Sequence, residues 1–279
     1  MSSEPRTLAV DVGGTGIKAI VLDAAGEMDG ERVRVPTTYP MPPAKMVEII
    51  GELAAKLPPF QRVSIGFPGV VRAGKVITAP HFVTKEGPGT KVVKSLQREW
   101  SGFALADEVS KALGSPVKLA NDADLQGSDV ISGQGLELVV TLGTGVGTGL
   151  FYNGALAPHL ELAHHPFLKG QTYNEAIGEA ARRRLGNRRW NKRVQLALRT
   201  LYDLVLYDHL YIGGGNSRRI NFDVGADTTI VDNSAGLLGG IKLWETAELG
   251  LGAASPAPAK RAAPRRRSPS GRTAPPRTG

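Results

Sequence analysis

The sequence predicts an α/β protein built from two lobes of similar plan, and three observations point there. Strand-like and helix-like segments alternate from residue 7 to residue 244. Each half opens with an apolar strand, a glycine-rich turn and a second strand: TLAVDVGGTGIKAIVLD in the first half and LELVVTLGTGVGTGLFY in the second. The length of 279 residues suits two domains better than one. No sequence-identical repeat links the halves, so the expected duplication is one of architecture.

Each element has a local reason. Thr7–Val12 and Lys18–Asp23 are apolar and β-prone on either side of the first turn, and Arg32–Val35 adds a short third strand. Ala44–Leu57 carries Met46, Val47, Ile50, Leu53, Ala54 and Leu57 at helical spacing, and Pro58-Pro59 stops it. Arg62–Gly66 is a strand, Val70-Val71 and Val76-Ile77 form a small hairpin, and Thr90–Trp100 and Phe103–Leu113 are helices. In the second half, Val117–Ala120 is a strand and Ala123–Ile131 a helix. Leu136–Leu142 and Gly147–Tyr152 pair as a hairpin, and Glu175–Val205 is mostly helical. His209–Ile212 and Thr228–Val231 are strands, and Ala235–Trp244 is a closing helix. Residues 1–119 form the first lobe, completed by 233–250; residues 120–232 form the second; residues 251–279 form a disordered tail.

Composition removes several classes of function. Hydrophobic residues are 41% of the chain and charged residues 22%, enough for a large core without staples. Cysteine is absent, which excludes disulfides, a thiolate nucleophile, a cysteine zinc site and an iron–sulfur cluster. No run nears the roughly 18 uninterrupted apolar residues of a membrane span. Asp11 interrupts the first apolar stretch, which speaks against a signal peptide. The expectation is a soluble, cytoplasmic protein. The net charge is +8, but Ala253–Gly279 holds seven cations and no acid, leaving +1 for the other 252 residues. That tail also carries six of the 19 prolines and too little apolar surface to offset its ordering entropy.

The glycine turns carry the chemistry. In DVGGTGIK, Gly13 and Gly14 let backbone N–H groups crowd round a phosphate, while Thr15 and Lys18 can add a hydroxyl and a cation. Asp11, at the strand end, can hold a magnesium ion through water. A strand rather than a helix follows, and no Gly-Lys-Ser/Thr is present, so neither a dinucleotide fingerprint nor a P-loop fits. Taken alone the turn could equally be a plain tight hairpin. The second turn repeats the chemistry with Gly143, Thr144, Gly145 and Gly147. Two phosphate cradles facing one cleft are how actin-like ATPases and sugar kinases grip a triphosphate. YIGGGNS then places Gly213, Gly214 and Gly215 after a strand and before an expected helix, where a nucleotide base or ribose could rest on exposed backbone.

With these motifs in order the chain resembles the ROK family of bacterial sugar kinases and repressors, and within it the glucokinase and polyphosphate-glucokinase branch. The resemblance spans about Leu8 to Trp244 and rests on DVGGTGIK, GFPG (Gly66–Gly69), NDAD (Asn121–Asp124), LGTGVGTG, ELAH (Glu161–His164), YIGGGNS and NSAGLLGG (Asn233–Gly240). It implies a two-lobed, duplicated ribonuclease H-like fold of the actin and hexokinase type, with the active site in the cleft. It implies phosphorylation of a hexose, glucose first, by ATP or inorganic polyphosphate with Mg²⁺. Asp122 matches the family's catalytic base, and its place after a strand end suits a carboxylate reaching an acceptor alcohol. Asn121, Glu161, His164 and Glu175 match sugar-binding positions. Asn-Asp before a helix is also an ordinary N-cap, and Asp124 reads as that cap's helical neighbour. His164 and His165 could be a satisfied polar pair; metal ligation is disfavoured by the spacing.

Departures from the family matter too. Its zinc-binding cysteines are absent, so no structural zinc is expected. Ala163 replaces a glycine. His81, in Ala79-Pro80-His81, stands where the family has a sugar-binding asparagine, which leaves the sugar open. No helix-turn-helix precedes Leu8, which speaks against a DNA-binding repressor. The run ARRRLGNRRWNKR is either a solvated helix face or a cationic track for a polyanion. As one continuous helix it would put Arg182, Arg189 and Arg193 on a shared face. The expected partners are a hexose and a nucleotide or polyphosphate, with a homodimer left open and no specific nucleic acid. A catalytically silent sugar sensor on the same fold is the alternative reading.

Overall fold

The computed structural model describes residues 5–87, 90–231 and 235–245, with side chains of 235–238 set aside. The expected tail, the NSAGLLGG motif's first two residues and residues 246–250 lie outside the described residues. The first half runs β1 (Thr7–Val12), β2 (Ile17–Leu22), β3 (Met28–Val35), α1 (Pro43–Ala54), β4 (Arg62–Phe67), β5 (Val71–Arg72), β6 (Lys75–Val76), α2 (Lys94–Trp100), α3 (Leu105–Leu113) and β7 (Val117–Asn121). Next come α4 (Asp122–Val130), β8 (Leu136–Leu142), β9 (Val146–Tyr152), β10 (Ala155–Leu156), β11 (Pro166–Leu168), β12 (Gln171–Thr172) and α5 (Tyr173–Ile177). The chain continues through α6 (Glu179–Val205), β13 (His209–Gly213), β14 (Thr228–Ile230) and α7 (Ala235–Glu245).

The two main sheets have the same plan. Their strand orders are β3-β2-β1-β4-β7 and β10-β9-β8-β13-β14. In each, an antiparallel meander supplies three strands and two parallel strands follow: β4 and β7 beside β1, β13 and β14 beside β8. The fold is the two-lobed, duplicated α/β architecture, and the repeat lies in topology rather than in residue identity.

Strand alternation divides each sheet's faces. Leu8, Val10 and Val12 of β1 enter one core with α1 and α3, while Ala9 faces α7 through Ile241. Leu138, Val140 and Leu142 of β8 pack on α6, while Val139 joins Phe151 and Tyr211 in a separate cluster. Helix α7 closes onto the first sheet: Trp244 Nε1 donates to Ser64 Oγ at 2.8 Å, and Lys118 Nζ donates to the Leu243 carbonyl at 2.8 Å. It also lies against α4, where a Cβ on Gly239 would overlap the Leu125 carbonyl.

Three local readings change. The segment after the three glycines is one short 3-10 turn, Ser217–Arg219, not a helix. Ile220, Phe222 and Val224 pack on the second core at every other position, a strand-like period that a helix cannot satisfy. The basic run does not form one continuous helix: Gly186 takes φ 72° and ψ 157° inside α6 and breaks the 3.6-residue register. The first-sheet strand β7 runs through Asn121, past the expected lobe boundary at 119/120. No helix among the described residues is long and apolar enough to cross a membrane.

Candidate active site

The centre of the site is the first turn of α4. Asn121 ends β7 and caps the helix: its Oδ1 accepts from Ala123 N at 2.8 Å, and its Nδ2 donates to the Gly69 carbonyl at 3.0 Å and, at the 3.5 Å limit, to that of Phe67. The cap thus ties GFPG to NDAD. Gly66 permits the approach, since a Cβ there would lie 2.9 Å from Leu125 Cδ2. Asp122 follows as the first helical residue, and Asp124 shares its turn. Acids suit this position because the helix dipole and free N–H groups favour negative charge.

Asp122 keeps surface exposed to solvent, yet protein atoms crowd closely round its carboxyl. That burial, with the negative charges of Asp11, Asp124 and Glu161, pushes its carboxyl up to about 6 against the hydrogen bond from Ala123 N. Such a group is mostly ionised near neutral pH and still basic enough to take a proton.

The two glycine turns are built alike in a way the sequence does not show. In the first, Gly13 O accepts from Thr37 Oγ1 at 2.6 Å, Gly14 O from Tyr39 Oη, Thr15 O from Arg34 Nη2 at 3.2 Å, and Gly16 O from Gly13 N at 3.1 Å. In the second, Gly143 O accepts from Glu179 N at 3.1 Å and Asn216 Nδ2 at 3.2 Å. Thr144 O also accepts from Glu179 N, and Gly145 O from Gly143 N at 2.9 Å. Every one of these turn carbonyls has a partner. An anion approaching either turn therefore meets fewer uncommitted oxygen lone pairs, which suits a phosphate cradle. Arg34, Thr37, Tyr39, Glu179 and Asn216 perform this capping; of these only Asn216 lies in a motif, YIGGGNS, and the others have no local signal because their partners are backbone atoms far away in sequence.

Other expected contacts have different partners here. Lys18 Nζ pairs with Asp11 Oδ2 at 2.9 Å across β1 and β2. Glu175 closes a capping box with Thr172 at the start of α5: Thr172 N donates to its Oε2 at 2.8 Å. His164 is exposed, and its charge acts on both Glu161 and Glu175, which places the three acid–base groups in one neighbourhood. His81 packs its ring edge-on to Phe82 and burial lowers its pKa; no polar contact joins its ring to Asp122 or Glu161 among the described residues. Gly214 is dictated by packing, with φ 85° and the Leu142 backbone where a Cβ would be. Gly215 faces open space.

A buried histidine escaped the sequence reading. His159 Nδ1 lies 2.8 Å from Asp124 Oδ2, and His159 Nε2 lies 3.5 Å from Glu161 Oε2. Side-chain exposure is 2% for His159, 3% for Asp124 and 27% for Glu161, so the contact is sealed at one end and open at the other. Burial alone would lower the His159 pKa; the carboxylates on its two nitrogens outweigh that and push it up to about 10. Burial would raise Glu161, and the neighbouring His159 and His164 bring it below its ordinary value. A cavity of about 50 Å³ adjoins the pair, bordered by the β5–β6 turn, Leu156 and Pro158.

The basic run is split by pairing as well as by the kink. Glu179 takes Arg182 in a two-pronged bond, 2.7 Å on each prong, and Arg183 at 2.7 Å, which hold its carboxyl far below the usual range. Arg193 is half-buried and donates to Gln171 and the Ala176 carbonyl. Arg182, Arg189 and Arg193 therefore do not form the expected track. Arg184, Arg188, Arg189 and Lys192 remain exposed.

The family model for the ROK family matches residues 7–159, more than half of the chain and all of the first sheet, the first three strands of the second and α4. The chain belongs to the ROK family. A polyphosphate glucokinase of Mycobacterium tuberculosis (strain CDC 1551 / Oshkosh) is 27% identical over 228 residues, 78% of this chain and 80% of that protein. The crystal structure of an inorganic polyphosphate/ATP-glucomannokinase from Arthrobacter sp. strain KM superposes with a TM-score of 0.70 at 28% identity. It covers 87% of this chain and 100% of that one. A ROK family glucokinase from Streptomyces griseus, in complex with glucose and AMPPNP, gives a TM-score of 0.66 at 19% identity, covering 85% and 98%. The last likeness bears on the fold alone.

Proposed function

We propose that the protein is a glucokinase-like sugar kinase that transfers the terminal phosphoryl group of ATP or inorganic polyphosphate to the 6-hydroxyl of a hexose, glucose first. The observation that carries this reading is Asp122: a carboxyl pushed to about 6, on the first turn of a helix, near enough to Asp11 of β1 and to Glu161 for their charges to act on it. In the proposed reaction Asp122 takes the proton of the 6-hydroxyl as that oxygen bonds to the terminal phosphorus. The bond from phosphorus to the bridging oxygen breaks, and ADP or the shortened polyphosphate leaves with the electron pair. Asn121 fixes the turn that carries Asp122. Glu161 and His164 are proposed as partners of the sugar hydroxyls, which is how a polar pocket selects among hexoses.

The donor set suits magnesium. Among the described residues no cluster of three or more acidic or histidine groups could cage a metal, but this ion normally takes one or two carboxylates and completes its shell with water and substrate phosphates. Asp11 is the carboxylate proposed to hold it, alongside its pairing with Lys18, and the neighbouring Asp122, which has no cationic partner among the described residues, adds negative charge that a cation would offset. When bound, the ion would supply positive charge that offsets the charge of the phosphoryl donor.

The polyphosphate donor is supported by where α6 begins. Its first N–H caps the second glycine turn, and its exposed cations Arg184, Arg188, Arg189 and Lys192 lead away from that turn with no acid among them. A donor longer than ATP would need such cations beyond the cleft. A grid of donors (ATP, polyphosphate) against hexoses, read by product formation, tests the whole reading. Turnover with glucose and either donor is expected; hexose binding with no turnover under any donor would overturn it in favour of a silent sugar sensor.

A further inference from the structure

We infer that His159 is a positioning residue for the sugar pocket: clamped between Asp124 and Glu161, it refers the Glu161 carboxylate to the same helical turn that carries Asp122. The inference rests on the proposed sugar-binding role of Glu161.

Glu161 precedes a short 3-10 turn and makes no cap bond of its own. The chain leading to it is tied to β9 by backbone: Ala157 N donates to the Leu150 carbonyl at 2.9 Å, and Thr148 Oγ1 donates to that of Leu160 at 2.9 Å. Those bonds fix the main chain and leave the carboxylate to be oriented by something else. Among the described residues the one ion pair or hydrogen bond of that carboxylate is with His159 Nε2, at 3.5 Å. His159 in turn is held at Nδ1 by Asp124 in the third position of α4, two residues from Asp122. The base and the hydroxyl acceptor thus share one rigid reference. A transferring oxygen must be placed to within a fraction of an ångström of its target, so such a reference affects sugar binding and turnover together.

The Nε2–Oε2 separation of 3.5 Å misses hydrogen-bond geometry and leaves the buried Nε2 without a hydrogen-bond partner in the protein. An unsatisfied buried donor is unfavourable. A small movement of Glu161 towards the ring, as sugar hydroxyls order its other oxygen, would complete the bond; catalytic contacts commonly tighten in this way when substrate arrives. A purely structural His159–Asp124 pair would not need a second carboxylate on the open side of the ring.

The test is a double-mutant cycle on sugar KM, with D-glucose and ATP, using His159→Gln, Glu161→Gln and the double variant. If His159 acts through Glu161, His159→Gln raises glucose KM at least about tenfold with ATP KM within about twofold, and the double variant is no worse than Glu161→Gln alone. Additive effects, or a His159→Gln glucose KM within twofold of the parent, overturn the inference while leaving Glu161 in the pocket. An unchanged glucose KM in Glu161→Gln overturns the pocket reading itself and the inference with it. Should His159→Gln fail to fold, ¹⁵N spectra of the parent protein decide. The His159 Nε2 signal should shift when glucose is added without donor, and an unmoved signal at saturating glucose sinks the idea.

Discussion

Replacing Asp122 by asparagine tests the proposed chemistry with little disturbance of the fold. The helix start survives the change, because Ala123 N is already held by Asn121 Oδ1 at 2.8 Å as well as by Asp122 Oδ1 at 2.9 Å. What is lost is a carboxylate poised at about 6, which is about nine-tenths ionised at pH 7. Loss of a general base lowers kcat by about 10²–10⁴-fold, or about 3–5 kcal/mol of barrier. Glucose KM should move far less, since the amide keeps the size and hydrogen-bonding capacity of the acid. The parent's kcat/KM should fall on the acid side as Asp122 is protonated, with its midpoint near 6, and the variant's residual rate should lack that limb. Stability should move the other way. A carboxyl raised above its unfolded value opposes folding when ionised, so Asp122→Asn should melt at the same or a higher temperature at pH 8. That advantage should fade as pH falls through 6 towards 4. Coupled initial rates over pH 5–9 and thermal melts supply both readouts. A folded Asp122→Asn protein with kcat within threefold of the parent would remove Asp122 from the mechanism.

Further outcomes follow from other parts of the site. Tyr39→Phe uncovers the Gly14 carbonyl, and loss of one neutral hydrogen bond, about 0.5–1.5 kcal/mol, should raise donor KM about two- to tenfold with glucose KM unmoved; equal shifts in both would deny the first turn a donor role. Exposed Arg188 and Lys192 share a helix face, so Arg188→Glu with Lys192→Glu should raise polyphosphate KM strongly and ATP KM little. Added salt should act in the same selective direction. No turnover of the parent with polyphosphate would leave that face merely solvated. His81→Asn should shift preference among hexoses if the ring reaches the sugar, and an unchanged hexose profile would keep His81 outside the pocket. Gly214→Ala puts a Cβ 2.4 Å from the Leu142 carbonyl at φ 85°, so soluble yield or melting temperature should fall sharply; a variant as stable as the parent would refute the packing argument.

Local pattern determined much of this protein. Apolar, β-prone runs flanking the glycine turns located β1, β2, β8 and β9 to within about a residue, because strand and turn preferences act over short spans. The glycine turns and the Asn-Asp pair before α4 were legible for the same reason: each is a contiguous stretch whose chemistry resides in its own backbone or adjacent side chains. Long-range geometry decided the rest. No sequence spacing reveals that Thr37, Tyr39 and Arg34 cover the carbonyls of residues 13–15, or that Glu179 and Asn216 do so for the second turn. His159 belongs to no motif, and only the packing of its segment on β9 and α4 brings it between Asp124 and Glu161, since a buried charge is tolerated only with partners that folding alone can assemble. The basic run failed as a predicted track because periodicity assumes an unbroken helix. A single left-handed Gly186 and the local claim of Glu179 on Arg182 and Arg183 redirected it. Sequence sets which backbone states are cheap at each position, and tertiary packing determines which charges meet.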